Sequence, residues 1–182
     1  RAALAQRLEL RAEDAPWHTG RGRMSAVASA LGALAASAGK IGGDLAFLGS
    51  TGIEEIRLAG GGSSAMPHKV NPVRAEAAQS LARMAAHYQA AVTEAAIHTA
   101  NRDGAAWGLE WLSLRPLCAC AAAAVDNVAQ AVAGMEPRRD AMEANLAALG
   151  AAAYSERLAY TLAQHMPRSA ARGPPASSRG RR

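Results

Sequence analysis

From Met24 to Leu48 the apolar residues Met24, Val27, Leu31, Leu34, Ala38, Ile41, Leu45 and Leu48 recur at alternating steps of three and four. That spacing follows one face of an α-helix and excludes a half-buried strand, whose inward residues recur every two. The series is a heptad stripe on a helix about 40 Å long. Gly32, Gly39, Gly42 and Gly43 weaken such a helix in isolation but let a neighbour approach closely, so it is expected to survive by burial in a bundle.

The rest of the chain follows the same period. Pro72 suits the first turn of a second helix running to about Asn101 through Val73, Ala77, Leu81, Met84, Tyr88, Val92 and Ile97. A third spans about Ala105 to Ala133, with a kink expected at Pro116. Shorter helices are expected at 137–148 and 151–165, Gly150 ending the first. Half the residues are apolar yet only 4% are aromatic, which suits close-packed helices better than a sandwich of strands. The fold class is all-α. The expected divisions are 1–23, a helix end plus a loop; 24–133, a long-helix bundle containing the loop 51–72; 134–165, the start of a small helical region; and 166–182, a disordered basic tail. The opening "RAALAQRLEL" reads as a helix already under way, and three such helices with so few aromatics want partners. A fragment, an oligomer or both is expected.

The net charge of +5 lies in the tail, where residues 166–182 hold five arginines and no acid, leaving 15 basic and 15 acidic side chains elsewhere. A neutral body without interleaved aromatics gives no expectation of nucleic-acid binding. No apolar run has the length and flanks of a spanning helix, so no membrane is expected. Cys118 and Cys120 lie two apart on a helix and read as reduced core cysteines of a cytoplasmic protein. Neither joins a histidine at metal-ligand spacing. His87, His98 and His165 read as structural.

Between the first two long helices stands "GGGSSAMPHKVNP", residues 60–72, longer and chemically richer than a connection needs. It is no phosphate loop, because His68 precedes Lys69 and Val70 follows it, and no strand precedes it as a dinucleotide site requires. Composition alone leaves a plain flexible linker as an equal alternative. Charge favours something sharper: the chain has two lysines against eighteen arginines, so Lys69 reads as a position that needs a compact ammonium. With Asn71 and the amides of the following helix it suits a carboxylate or an enolate. The glycines would let the loop close as a lid, carrying Ser63 and Ser64 into an anionic site.

Gly62 to Pro72, "GSSAMPHKVNP", resembles the G-S-S-x-M-P-x-K-x-N-P signature of the fumarase/aspartase superfamily. The resemblance implies a long-helix bundle, incomplete in this chain, in a homotetramer whose active sites draw on three subunits. It implies Ser63 as general acid/base, Lys69 and Asn71 on a substrate carboxylate, and Ser64 with Met66 lining the pocket. The loop 16–23, "PWHTGRGR", and the stretch 101–111, "NRDGAAWGLEW", resemble segments of bacterial 3-carboxy-cis,cis-muconate cycloisomerases. By that resemblance His18, Thr19, Arg21, Arg102 and Trp107 bind substrate, while Trp107, Glu110 and Trp111 replace a serine-rich run of adenylosuccinate lyases. The implied reaction adds a carboxylate of a small polycarboxylate to a conjugated double bond, giving a muconolactone of protocatechuate breakdown. No metal or organic cofactor is implied. Val70 stands where such enzymes often carry Arg, and Gly20 and Gly22 replace polar residues. Glu76 resembles the acid that partners a histidine in the lyases, so an adenylosuccinate or related lyase is the alternative. A non-catalytic helical assembly protein is the alternative of another class. Little or no activity is expected of the isolated polypeptide.

Overall fold

A computed structural model describes residues 2–12, 18–59, 61–62 and 70–167. Three long helices dominate: α2 (Gly22–Leu48), α3 (Val73–Glu94) and α4 (Gly104–Ala133). A short α1 (Ala2–Arg7) precedes them, and α5 (Arg139–Leu149), a 3₁₀ segment (Gly150–Tyr154) and α6 (Ser155–Leu162) follow. Gly150 closes α5 with φ +54°, a conformation glycine adopts without penalty. α4 runs unbroken through Pro116. α3 stops seven residues short of Asn101, giving way to the loop 95–103.

The seam between α2 and α3 is made of small residues. A Cβ on Gly42 would lie 2.7 Å from the Ala75 carbonyl oxygen, and one on Gly39 would lie 2.5 Å from Ala82 Cβ. These pairings run in opposite chain directions, so α2 and α3 are antiparallel. α4 returns alongside both, and the three form an up-down-up bundle. One end packs Ala28 and Ala35 against Ala85, Val92, Leu117 and Ala121; the other packs Leu45 against Ile56, Leu58, Ala75 and Ala131. Leu117 is fully buried, a contribution of about 1.5–3 kcal/mol relative to exposure.

This seam corrects the heptad reading of α2. The helix buries Ala28, Gly32, Ala35, Ala38, Gly42 and Leu45 inside the chain, whereas Val27, Leu34 and Ile41 are 49%, 49% and 42% exposed. Small residues win the inner face because they let backbones approach; the larger ones are left on an outer stripe. Cys118 is another correction: it is exposed, not in the core, and Cys120 is half-buried. By length and composition α2 and α4 each reach what a membrane-spanning helix needs, closer than the sequence reading placed them. The exposed Lys40–Asp44 ion pair in α2 and the buried charge of α4 suit a protein bundle.

Four two-residue strands escape the helical period: β1 (Ile56–Arg57), β2 (Gly61–Gly62), β3 (Val70–Asn71) and β4 (Glu136–Pro137). β1 pairs antiparallel with β4, and β2 with β3. Around β1 the Arg138 amide donates to the Glu55 carbonyl at 2.8 Å, and Asn145 Nδ2 donates to the Ile53 carbonyl at 2.9 Å. The stretch 53–57, which leads into the loop 60–72, is thereby held by the residues after α4.

Candidate active site

At the start of α2 the loop His18–Arg21 lies on α4. The Arg21 amide donates to the Thr19 carbonyl at 3.0 Å, and the Ser25 amide donates to the Arg21 carbonyl at 3.0 Å, so this loop and the first turn of α2 form one backbone unit. The Arg21 side chain is buried and turned onto Glu110, itself buried in α4. Arg21 Nε donates to Glu110 Oε2 at 2.8 Å, and Nη2 donates to Oε1, a two-pronged ion pair between residues 89 apart. One turn earlier on α4, Trp107 Nε1 donates to the His18 carbonyl at 3.4 Å, and the His18 and Trp107 rings stand 6.2 Å apart. Trp107 stacks on Trp111 at the same centroid separation, 6.2 Å.

Arg102 stands just before α4. It is exposed and has φ +66°, and Ala100 has φ +53°, two non-glycine residues in the left-handed region within three positions. Such conformations persist only where surroundings enforce them. Asp103 supplies that enforcement as the N-cap of α4: its carboxylate accepts from the Thr99 amide at 2.9 Å, the Ala105 amide at 3.0 Å and the Ala106 amide at 3.1 Å. The hydrogen bond from Thr99, then that from Ala106, holds its pKa below the ordinary 3.8. Because the folded value is the lower one, the carboxylate stabilises the fold above the unfolded value, and that contribution is lost as pH falls through the folded pKa. Asp103→Ala is expected to speed amide exchange at Thr99, Ala105 and Ala106 at neutral pH. Unchanged exchange would refute the capping role. Nearby, both ring nitrogens of His98 are buried with no hydrogen-bond partner among the described residues.

The neck that flanks the signature, with Asn71, lies at the other end of the bundle. Ser63, Ser64, Met66 and Lys69 fall outside the described residues. Their flanks are placed: Gly61 pairs with Asn71 and Gly62 with Val70, a narrow neck opening directly into α3. Asn71 is half-buried there. The 22 residues of α3 separate this neck from the loop carrying Arg102, a distance of about 33 Å along the helix. Asn71 therefore stands a full helix length from Arg102 of the same chain.

The structure thus gathers His18, Thr19, Arg21, Trp107 and Arg102 at one end and leaves Asn71 at the other. Sequence reading gave Glu110 no role. The signal was present: Glu110 shares the inward stripe of α4 with Ala106, Ser113 and Leu117, where a carboxylate needs a partner. Among the described residues no group of three or more His, Cys, Asp or Glu side chains is arranged to hold a metal.

A family model described as Lyase matches residues 3–86. The 3-carboxy-cis,cis-muconate cycloisomerase of Bradyrhizobium diazoefficiens is 36% identical over 170 residues, 91% of this chain and 38% of that protein. The crystal structure of the 3-carboxy-cis,cis-muconate lactonizing enzyme from Pseudomonas putida superposes with a TM-score of 0.80 at 32% identity, over 93% of this chain and 38% of that one. The chain belongs to the fumarase/aspartase superfamily. Within the superfamily it is also similar to a nitrosuccinate lyase from Streptomyces davaonensis, 34% identical over 93% of this chain and 37% of that protein. The chain spans 38% of the length of the first of these relatives. As a superfamily member it carries the signature loop and its flanking long helices, the all-α bundle that the helical period implied.

Proposed function

We propose that this chain is the signature-bearing part of a 3-carboxy-cis,cis-muconate cycloisomerase. The carrying observation is that the segment separating the lactonising pattern from the serine-rich one is built as a unit. Trp107 sits against His18, Trp111 stacks on Trp107, and Glu110 holds Arg21. In the reaction one carboxylate oxygen of the substrate bonds to a carbon of the conjugated double bond. The electron pair moves toward a neighbouring carboxyl, an enolate-like species forms, and a proton delivered to the adjacent carbon completes the lactone. Lys69 and Asn71 hold the carboxylate on which charge builds, Ser63 handles the proton, and Arg102 with His18 and Thr19 binds the remaining anionic groups.

The roughly 33 Å of α3 between Asn71 and the loop carrying Arg102 supports a site assembled from several copies. A small polycarboxylate cannot span the two ends of one bundle, so the neck of one copy must meet the His18–Arg102 end of another. The outer stripe Val27, Leu34 and Ile41, with Trp111 and Leu112 at 67% and 76% exposure, supplies an apolar face for that assembly. Leu34→Lys with Ile41→Lys is expected to leave the helical signal of the chain intact and to yield monomers by light scattering. Retained assembly would remove this stripe from the interface.

A related β-eliminating lyase is the second reading, favoured by Glu76 in the first turn of α3 and by the nitrosuccinate lyase similarity. The two separate in one assay. A chimera is made in which this chain replaces the matching segment of the Bradyrhizobium enzyme, and it is offered 3-carboxy-cis,cis-muconate, adenylosuccinate and nitrosuccinate in parallel. Loss of diene absorbance with lactone formation supports the cycloisomerase. Cleavage of a succinyl substrate alone by an assembled chimera selects the lyase.

A further inference from the structure

We propose that Glu110 is a positioning residue. It grips Arg21 and, through it, presses the His18–Arg21 loop onto Trp107 to form a preset wall at the substrate-facing end of the bundle. The wall's catalytic meaning rests on the proposed function; the docking itself does not.

Arg21 was expected to bind substrate, but its Nε and Nη2 are directed to Glu110 in the geometry a guanidinium offers a carboxylate. The pair is buried on both sides. A cation so engaged is a poor ligand for an incoming carboxylate and a good tie between two segments. Its location is telling, because Arg21 immediately precedes α2, where the positive end of the helix disfavours a cation. The pairing with Glu110 explains its presence there.

Two ties bracket the loop. Arg21 binds α4 at Glu110, and the His18 carbonyl binds α4 at Trp107, three residues earlier on the same helix. Thr19 and Gly20 lie between these anchors, and Gly20 has no side chain with which to fix the loop. The Arg21 amide bonded to the Thr19 carbonyl passes the restraint along the backbone. Of the two contacts with α4, the Trp107 one is the weaker, at 3.4 Å, so removing the charge of Glu110 takes away the stronger. Lysine at position 21 would supply one point charge in place of the two-pronged grip.

The test uses the 182-residue chain with Trp17→Phe and Trp111→Phe, so that Trp107 is the sole tryptophan. Acrylamide quenching then reports how well the loop covers it. Glu110→Gln is expected to raise the quenching constant about twofold with unchanged far-ultraviolet helicity, and Arg21→Lys to act in the same direction. The reversed pair Arg21→Glu/Glu110→Arg is expected to restore protection. Quenching of Glu110→Gln equal to that of its parent overturns the proposal. If Glu110→Gln loses its helices, Arg21→Met/Glu110→Leu decides, since it fills the volume without an unpaired charge. Helical with Trp107 uncovered supports the proposal. Helical with Trp107 still covered, or unfolded again, overturns it. In the active chimera Glu110→Gln is expected to raise KM about tenfold while kcat changes less than about threefold. A fall in kcat at constant KM overturns the positioning role, while quenching remains readable even if the assigned substrate is wrong.

Discussion

Ser63→Ala, placed in the chimera, is expected to lower kcat for 3-carboxy-cis,cis-muconate by about a thousandfold, within the range for loss of a positioned general acid or base. A serine hydroxyl exchanges protons at neutral pH only where cations and backbone donors stabilise its oxyanion. A glycine-rich loop ahead of a helix N-terminus and beside Lys69 provides those elements in one stretch of chain. Lys69→Met keeps side-chain length and removes the ammonium, so charge developing on the held carboxylate loses its counter-ion. It is expected to lower kcat by about a hundredfold and to raise KM as well. Steady-state kinetics on both variants check this. Wild-type rates from either would remove the loop from the chemistry and return residues 60–72 to the role of a connector.

Gly42→Val carries the largest expected structural effect. The first added carbon already falls 2.7 Å from a backbone oxygen of α3 and 3.2 Å from Ala78 Cβ, and backbone in a packed helix cannot turn aside as a long side chain can. Relief requires α2 and α3 to separate, opening contacts at Ala38, Ala78 and Ala124. The expected destabilisation is about 3 kcal/mol, the upper part of the usual range for overpacking. Urea unfolding of the chain measures it. Leu34→Val, on the outer stripe, is expected to change the same midpoint little. If the two substitutions cost the same, the small-residue seam is not what joins these helices.

Helix existence was readable because the three-four period of α2 and the Pro72 boundary are local properties of the chain. The buried face was harder to read. Hydrophobicity ranks Leu34 and Ile41 above Gly39 and Gly42, yet close approach of two backbones favours the glycines and turns the larger residues outward. Close approach within the chain thus outranks hydrophobicity on this face. The loop pattern of Ser63, Lys69 and Asn71 was visible in the sequence as an expectation, whereas the distance from Asn71 to Arg102 depends on the direction of α3. The grip of Glu110 on Arg21 was not legible as a pair, because 89 residues of chain intervene. Only the charged residue on an inward stripe hinted at it. The two-residue strands β1 to β4 are too short to leave any alternation.

In the proposed assembly one site takes its signature loop and its His18–Arg102 end from different copies of the chain. Complementation tests it most directly. Chimeras carrying Lys69→Met and chimeras carrying Arg102→Ala are each expected to be nearly inactive. Co-refolded in equal amounts, they are expected to recover about a quarter of wild-type activity, since that share of sites draws both elements from intact segments of different chains. Mixed assemblies that remain as inactive as either parent would contradict it.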